Sequence, residues 1–302
     1  MDYIDILKSR YIYNNGGNVM DYLKRNYGNQ YNISKYIEIS YDLQAGSYIK
    51  NFNQNKDEKI KYIKEASNFI SSHIDSNDYI LNVGAGELWT ISLINDHLNK
   101  SAGCIYNLEI SWSRLFKGID FWNEWNKKNT NMVPMIADML QIPLPSKSID
   151  IVTSSHGLEP NGSKLKCIIK ELFRVTRKKC VLFEPSYDHA TPEGQLRMDK
   201  LGYIKNIEET AKDLGGSVLD VQLLKNSSNP LNPTACFVLE PPSSETPVNL
   251  HSNHFTVPGT DLPLEKKEQF YISRNTGLVF PVLGSVPILK HEHAILATAF
   301  TE

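Results

Sequence analysis

Short apolar runs recur at Tyr79–Val83, Cys104–Glu109, Met132–Ile136, Ile149–Ser154, Cys180–Phe183, Ser217–Leu224 and Ala235–Leu239, and runs of this length predict strands. The amphipathic stretches between them predict helices over Leu88–Asn99, Trp112–Trp125, Leu165–Val175 and Gly194–Leu214. This alternation predicts an α/β fold with a doubly wound, mostly parallel sheet of seven strands. The last two strands are separated only by LKNSSNPLNP, too short and proline-rich for the helical crossover that a parallel pair needs. They are expected to close the sheet as a terminal antiparallel hairpin. Upstream, Ile60, Ile63, Ala66, Phe69, Ile70 and Ile74 recur at helical spacing, with Asp57 as the expected N-cap. The expected organisation is a helical N-terminal and lid segment over 1–77, the α/β domain over 78–241, and a small β-rich tail over 242–302 opened by the turn-rich PPSSETPVN.

Composition narrows the functional classes. Hydrophobic residues make up 41% and charged residues 22%, the balance of a globular chain. Lys+Arg 32 against Asp+Glu 34 leaves a net charge of -2, so no global field draws nucleic acid or anionic lipid. The basic run Arg174, Arg177, Lys178 and Lys179 is expected to complement a helix dipole. Trp112, Trp122 and Trp125 are expected in the core rather than as a stacking platform. No apolar run approaches the roughly 18–20 residues that span a bilayer, and the opening MDYIDILKSRYIYNNGG lacks a signal-peptide layout. Cys104, Cys167, Cys180 and Cys236 are far apart in apolar segments, the use expected of small core residues in a reducing cytoplasm. No membrane and no nucleic-acid partner are expected.

The chemistry-bearing pattern begins where the first strand runs into Gly84–Ala85–Gly86 and a helix follows. Glycine lets the backbone turn tightly and bring N–H groups close to a ligand at a helix start. The third glycine of a dinucleotide fingerprint is missing, because Leu88 and Trp89 occupy that region. Glu109 ends the second strand 23 positions after Gly86, where a carboxylate can accept both ribose hydroxyls of an adenosine cofactor. Asp138 ends the third strand, where a side-chain acceptor can take an adenine amine.

With these residues the chain resembles the class I S-adenosylmethionine-dependent methyltransferases. The opening motif of that family, acid-x-Gly-x-Gly, stands here as Asn82–Val83–Gly84–Ala85–Gly86, with an amide in place of the acid. Glu109 matches the second-strand acid, and Asp138 with IPLPSKSIDIV matches the third motif. The resemblance implies S-adenosyl-L-methionine as cofactor, with Asn82, Gly84, Ala85, Gly86, Glu109, Ile110, Asp138, Met139 and Ser155 around it. The segment Ile39–Phe52 resembles a cofactor lid, from which Tyr41 and Gln44 are expected at the site. The tail resembles, through Gly277–Pro281 and Val286–Leu289, a small zinc-ribbon-like methyltransferase activator domain. It has none of the cysteines that hold zinc there, so no metal is expected; His251/His254 and His291/His293 are read as solvated or packing residues.

Methyl transfer needs an aligned acceptor that loses its proton. His156, beside Glu159 in the loop after the fourth strand, is the expected general base, and Glu184 at the end of the fifth is a second candidate. Gly157 is expected to let the backbone turn so that the imidazole faces inward. No Asp/Asn-Pro-Pro-aromatic tetrapeptide and no Pro-Cys are present, which argues against methylation of adenine or cytosine in nucleic acid. By exclusion the acceptor is a small molecule, with an oxygen or nitrogen of a sugar or sugar nucleotide the leading choice. Two other readings remain at this point. One is a catalytically inactive methyltransferase-fold binding or scaffold protein. The other is a NAD-dependent oxidoreductase, which the missing glycine and the final hairpin disfavour.

Overall fold

The computed structural model describes residues 3–28, 30–227, 229–243 and 254–300. Five helices come first: α1 (Tyr3–Asn14), α2 (Val19–Tyr27), α3 (Ser34–Asp42), α4 (Ser47–Gln54) and α5 (Lys56–His73). The central part follows as β1 (Tyr79–Val83), α6 (Trp89–His97), β2 (Cys104–Glu109), α7 (Trp112–Trp125), β3 (Asn131–Ile136), β4 (Ile149–Ser155), α8 (Leu165–Val175), β5 (Thr176–Pro185), α9 (Pro192–Leu201), α10 (Ile207–Asp213), β6 (Ser217–Leu223) and β7 (Thr234–Glu240). Short strands complete the tail: β8 (Glu265–Lys266), β9 (Phe270–Ile272), β10 (Leu278–Leu283), β11 (Val286–Pro287) and β12 (Ile295–Leu296).

The seven-stranded sheet has the order β3-β2-β1-β4-β5-β7-β6. All its pairs are parallel except those of β7, which runs antiparallel to both β5 and β6, as the short proline-rich connection requires. Apolar clusters cover both faces. One contains Leu81, Tyr106 and Leu182; the other contains Ile80, Ile105 and Val181. Strands buried on both faces read as unbroken apolar runs, which is why β1 and β2 were legible in the sequence. Between β1 and β4 the winding direction reverses, and the crevice outside the strand ends at such a point is where ligands bind in open α/β sheets.

Several local expectations are corrected. The single helix expected over Gly194–Leu214 is two helices, because Gly202 and Asn206 both take left-handed backbone conformations between α9 and α10. Asp57 lies inside the first turn of α5 rather than at its cap, where Asn55 stands. Cys167 is exposed on α8, while the other three cysteines are buried. Trp122 is fully in the core, whereas Trp112 stacks on Phe116 with centroids 4.5 Å apart at the surface. Arg174 stands in the last turn of α8 as expected and also meets Glu171 at 2.7 Å, whereas the rest of the run lies in β5, where Arg177 Nε donates to Asp150 at 2.8 Å and Lys178 meets Asp78 at 2.7 Å. Among the described residues no helix is long and apolar enough to cross a membrane.

The tail is attached to the sheet at its β3 edge. Ile288 forms a parallel bridge with Ile136, and the Leu289 N–H donates to the Ile136 carbonyl at 2.7 Å. Gly284 and Ser285, both left-handed, turn the chain tightly between β10 and β11 and set it against Trp112, whose Nε1 donates to the Leu283 carbonyl. Lys290 continues this contact to the lid: its buried Nζ stands 2.9 Å from Glu38 of α3 and 3.0 Å from Glu292. His293 joins the two carboxylates, but the lysine already balances that cluster. His251 lies outside the described residues, and His291 Nε2 meets the Pro258 carbonyl at 3.1 Å.

Candidate active site

The chain turns out of β1 through three left-handed residues, Gly84, Gly86 and Leu88. A Cβ on Gly84 would stand 2.6 Å from the Cα of Gly157, and one on Gly157 would stand 2.5 Å from the Val83 carbonyl oxygen. Glycine is therefore required on both sides of this contact, which lets the loop after β4 lie directly on the turn after β1. Gly157 does not supply the turn that aims the imidazole. His156 itself takes the left-handed conformation, at φ 57°, a strained state for a residue with a side chain.

A cavity of about 620 Å³ opens at the carboxyl ends of β1 and β4. Its wall includes Tyr41, Gln44, Gly84, Ala85, Gly86, Glu109, Ile110, Asp138, Met139, Ser155 and His156. Two of the sequence-derived candidates stand elsewhere. Asn82 is buried in β1, where its Nδ2 donates to Oδ1 of Asn107, its direct neighbour in β2. Glu184 is buried behind the wall, accepting from Ser154 Oγ at 2.7 Å and from the Leu158 N–H at 3.0 Å. Its other oxygen has no hydrogen-bond partner, and burial pushes its acid up to about 7, against the lowering effect of His156 and the two hydrogen bonds.

At one end of the cavity, Glu109 accepts from the Gly86 N–H at 2.7 Å and from the Ser111 N–H at 3.0 Å, which orients its carboxylate toward the glycine turn. Asp138 accepts from the Leu140 N–H at 2.9 Å, closing its own turn while lining the cavity. Arg114, from the first turn of α7, lies under the rings of Tyr48 and Tyr41, at 4.4 and 5.0 Å. Burial opposes its charge, but Glu109, Tyr48, Tyr41 and Glu87 together outweigh that. Its Nε is buried without a hydrogen-bond partner. Burial also raises the Tyr41 hydroxyl well above the ordinary phenol range.

At the other end, His156 is held from both sides. Its Nδ1 is 2.9 Å from Glu159 Oε2, and its Nε2 is 2.8 Å from Thr234 Oγ1. A carboxylate only accepts, so Nδ1 carries a proton and Nε2 is the basic nitrogen when the ring is neutral. Burial opposes protonation, but the hydrogen bond and charge of Glu159, with the charge of Glu184, outweigh it and raise the imidazole above its ordinary value. Tyr62 donates to or accepts from Ser155 at 2.6 Å on the same wall.

The lid is fastened by residues that sequence patterns did not reveal. Glu87, the residue after the glycine turn, accepts from the N–H groups of Gly46 and Ile49 at 2.8 Å each and so caps α4. Asp42, at the end of α3, accepts from Ser111 and Ser113 hydroxyls at the start of α7. A carboxylate placed directly after the glycines was the one signal for Glu87; Arg114, Arg197, Tyr203 and Asn232 gave none, because they reach the cavity from helices and loops far apart in sequence.

Residues 81–183 match the methyltransferase domain family. The fold is similar to a chain of the Haloferax volcanii complex between the Trm112 methyltransferase activator and a methyltransferase, at 12% identity and TM-score 0.50, covering 66% of this chain and 96% of that one. It is also similar to magnesium protoporphyrin IX methyltransferase from Synechocystis PCC 6803 with bound SAH, at 13% identity and TM-score 0.51, covering 67% and 98%. No curated protein matches the sequence. Residues 81–183 thus carry a methyltransferase domain, and the two solved structures share its fold. The methyl donor that this domain implies is S-adenosylmethionine. The residues present suit that cofactor: two glycines leave the turn bare, Glu109 offers a carboxylate, and Arg114 offers an unpartnered buried donor.

Proposed function

We propose that the enzyme methylates an oxygen or nitrogen of a small molecule in the cytoplasm, a sugar or sugar nucleotide being the acceptor class that the sequence favours by exclusion. The observation that carries this reading is His156, fixed between Glu159 and Thr234 on the cavity wall at the reversal point of the sheet. When bound, S-adenosylmethionine supplies a methyl group activated by its sulfonium. Glu109 would accept the ribose hydroxyls, Asp138 the adenine amine, and the glycine turn would leave room for the methionine portion, with Ala85, Ile110, Met139 and Ser155 beside them. Tyr41 and Gln44 would cover the cofactor from the lid.

His156 acts at Nε2 as the acceptor's base: it takes the proton that leaves the hydroxyl or amine, directly or through the Thr234 hydroxyl. Glu159 holds the ring's tautomer and stabilises the imidazolium that forms, the role a carboxylate has behind a catalytic histidine. Glu184, behind the wall, acts on His156 through its charge and fixes the loop through Leu158. Asn82 is tied to Asn107 and would act on the cofactor only through the shape of β1. The three segments, 1–77, 78–241 and 242–302, would then serve as lid, catalytic domain and built-in counterpart of an activator. The tail supports the β3 edge and, through Lys290, the lid helix.

The test is methyl transfer from labelled S-adenosylmethionine to a panel of small acceptors, with calorimetry against S-adenosylhomocysteine. Turnover on a small acceptor that is lost in His156→Ala, with S-adenosylhomocysteine affinity retained, supports the reading. Binding of the cofactor product without turnover on any small acceptor, or turnover on nucleic acid, overturns it.

A further inference from the structure

The two ends of the cavity differ in how their charges are met. Glu159 is paired with His156, Glu87 caps the start of α4, and Arg114 lies under two tyrosine rings within the field of Glu109. Two further cations on the cavity wall have no direct ion pair. Among the described residues neither Lys59 nor Arg197 has a carboxylate within 4.0 Å. Arg197 lies beside Tyr203, 5.7 Å from its ring, and its Nη1 is buried without a hydrogen-bond partner. Lys59 is half-buried on α5, and burial lowers its ammonium below the ordinary range. Its charge reaches His156, so it stands at the same end. A third polar group there is also unused: Asn232 Nδ2 donates to Glu159 at 3.2 Å, which leaves Oδ1 as the buried, unpartnered atom. Arg114 stands against Gly86, so the cofactor's half of the cavity already has its cation.

With only the field of Glu58 on Lys59 and the Tyr203 hydroxyl on Arg197, holding an ammonium and a guanidinium at a cavity wall costs desolvation that a bound anion would restore. Arginine recognises carboxylate and phosphate oxygens with paired donors, and a lysine adds a point charge. We infer that the methyl acceptor is an anion, whose carboxylate or phosphate is held by Lys59 and Arg197 while a hydroxyl or amine of the same molecule donates to Asn232 Oδ1. This rests on the methyl-transfer reading and narrows its acceptor class. A uronic acid or a sugar nucleotide meets these groups, and a neutral sugar does not. The distribution of charge places the anion beside His156, so that the position to be methylated lies near Nε2.

The experiment uses the full chain saturated with S-adenosylhomocysteine. Inorganic phosphate and acetate are titrated separately by calorimetry at ionic strength held constant with chloride. We expect saturable binding of at least one anion, weakened about tenfold or more in both Arg197→Gln and Lys59→Gln, which corresponds to about 1.4 kcal/mol or more. Arg197→Lys, which keeps the charge, should retain part of the binding and controls for folding. Phosphate alone would indicate a phosphoryl-bearing acceptor, and acetate alone a carboxylate-bearing one. Absence of saturable binding by either anion, or binding that survives both substitutions, overturns the inference. So does a parallel fall in S-adenosylhomocysteine affinity, which would assign these cations to the cofactor. If the unsubstituted chain failed to bind S-adenosylhomocysteine at all, the methyl-transfer reading itself would fall instead.

Discussion

Glu87 and Ile49 join the glycine turn to the lid: the Glu87 carboxylate accepts the Ile49 N–H at 2.8 Å, and its other oxygen accepts the Gly46 N–H at the same distance. A buried charge at the start of a helix meets otherwise unsatisfied donors and the positive end of the helix dipole. Glu87→Ala should therefore destabilise the chain by about 1–3 kcal/mol, the cost of orphaning such donors. Amide exchange should quicken at residues 46–49 first, before the central strands. Exchange that rises uniformly, or not at all, would show that Glu87 does not hold the lid.

Glu109 accepts the Gly86 and Ser111 N–H groups and, in the proposed complex, the cofactor ribose. Glu109→Ala should weaken S-adenosylhomocysteine binding by about 1.5–3 kcal/mol, the range for hydrogen bonds to a charged group. Calorimetry on a folded variant checks this, and an unchanged dissociation constant would remove Glu109 from the ribose.

His156→Ala should lower turnover by ~10²–10⁴, the usual size of lost acid–base catalysis. The imidazole is raised above its ordinary value, and a base works when deprotonated. The acidic limb of the pH–rate profile should therefore lie above the ordinary histidine range. Glu159→Gln removes the hydrogen bond and charge that raise it, so that limb should move to lower pH while the maximal rate falls. A limb that stays in place would separate Glu159 from the base.

Glu184 carries its acid at about 7 in the folded chain, above the usual value of 4.5. The folded state thus binds more protons than the unfolded state between these two values. Stability from this group is fully present below about 4.5, falls as pH rises toward 7, and stays low above it. At about 1.36 kcal/mol per unit the loss amounts to roughly 3 kcal/mol. Glu184→Gln should flatten that part of the stability profile, which denaturant unfolding across pH 4–8 would read out.

Lys290 ties the tail to α3, the helix that carries Tyr41. Among the described residues, losing Lys290 leaves Glu38 with only Lys35, at 3.2 Å, and leaves Glu292 half-exposed, so the cost should be about 1–3 kcal/mol. Lys290→Met should loosen the tail and lower S-adenosylhomocysteine affinity together. Proteolytic release of the tail with unchanged affinity would show that the tail does not support the lid.

The sequence by itself determined the parallel strands, the antiparallel close of the sheet and the positions of Gly84, Gly86, Glu109, Asp138 and His156 along it. Those features are written in local patterns. A strand buried on both faces must be apolar throughout, and a connection as short as LKNSSNPLNP permits only one direction of pairing. The break between α9 and α10 escaped periodicity because it rests on single left-handed residues inside an otherwise helical composition. Only the tertiary structure decided that Asn82 faces Asn107, that Glu184 sits behind the wall, and that Glu87 caps the lid. It alone brought Arg197, from α9, and Lys59, from α5, to the same cavity as His156. The direction of a side chain at a strand end, and the partner that answers its charge, depend on residues brought from distant segments. No spacing within the chain encodes that meeting.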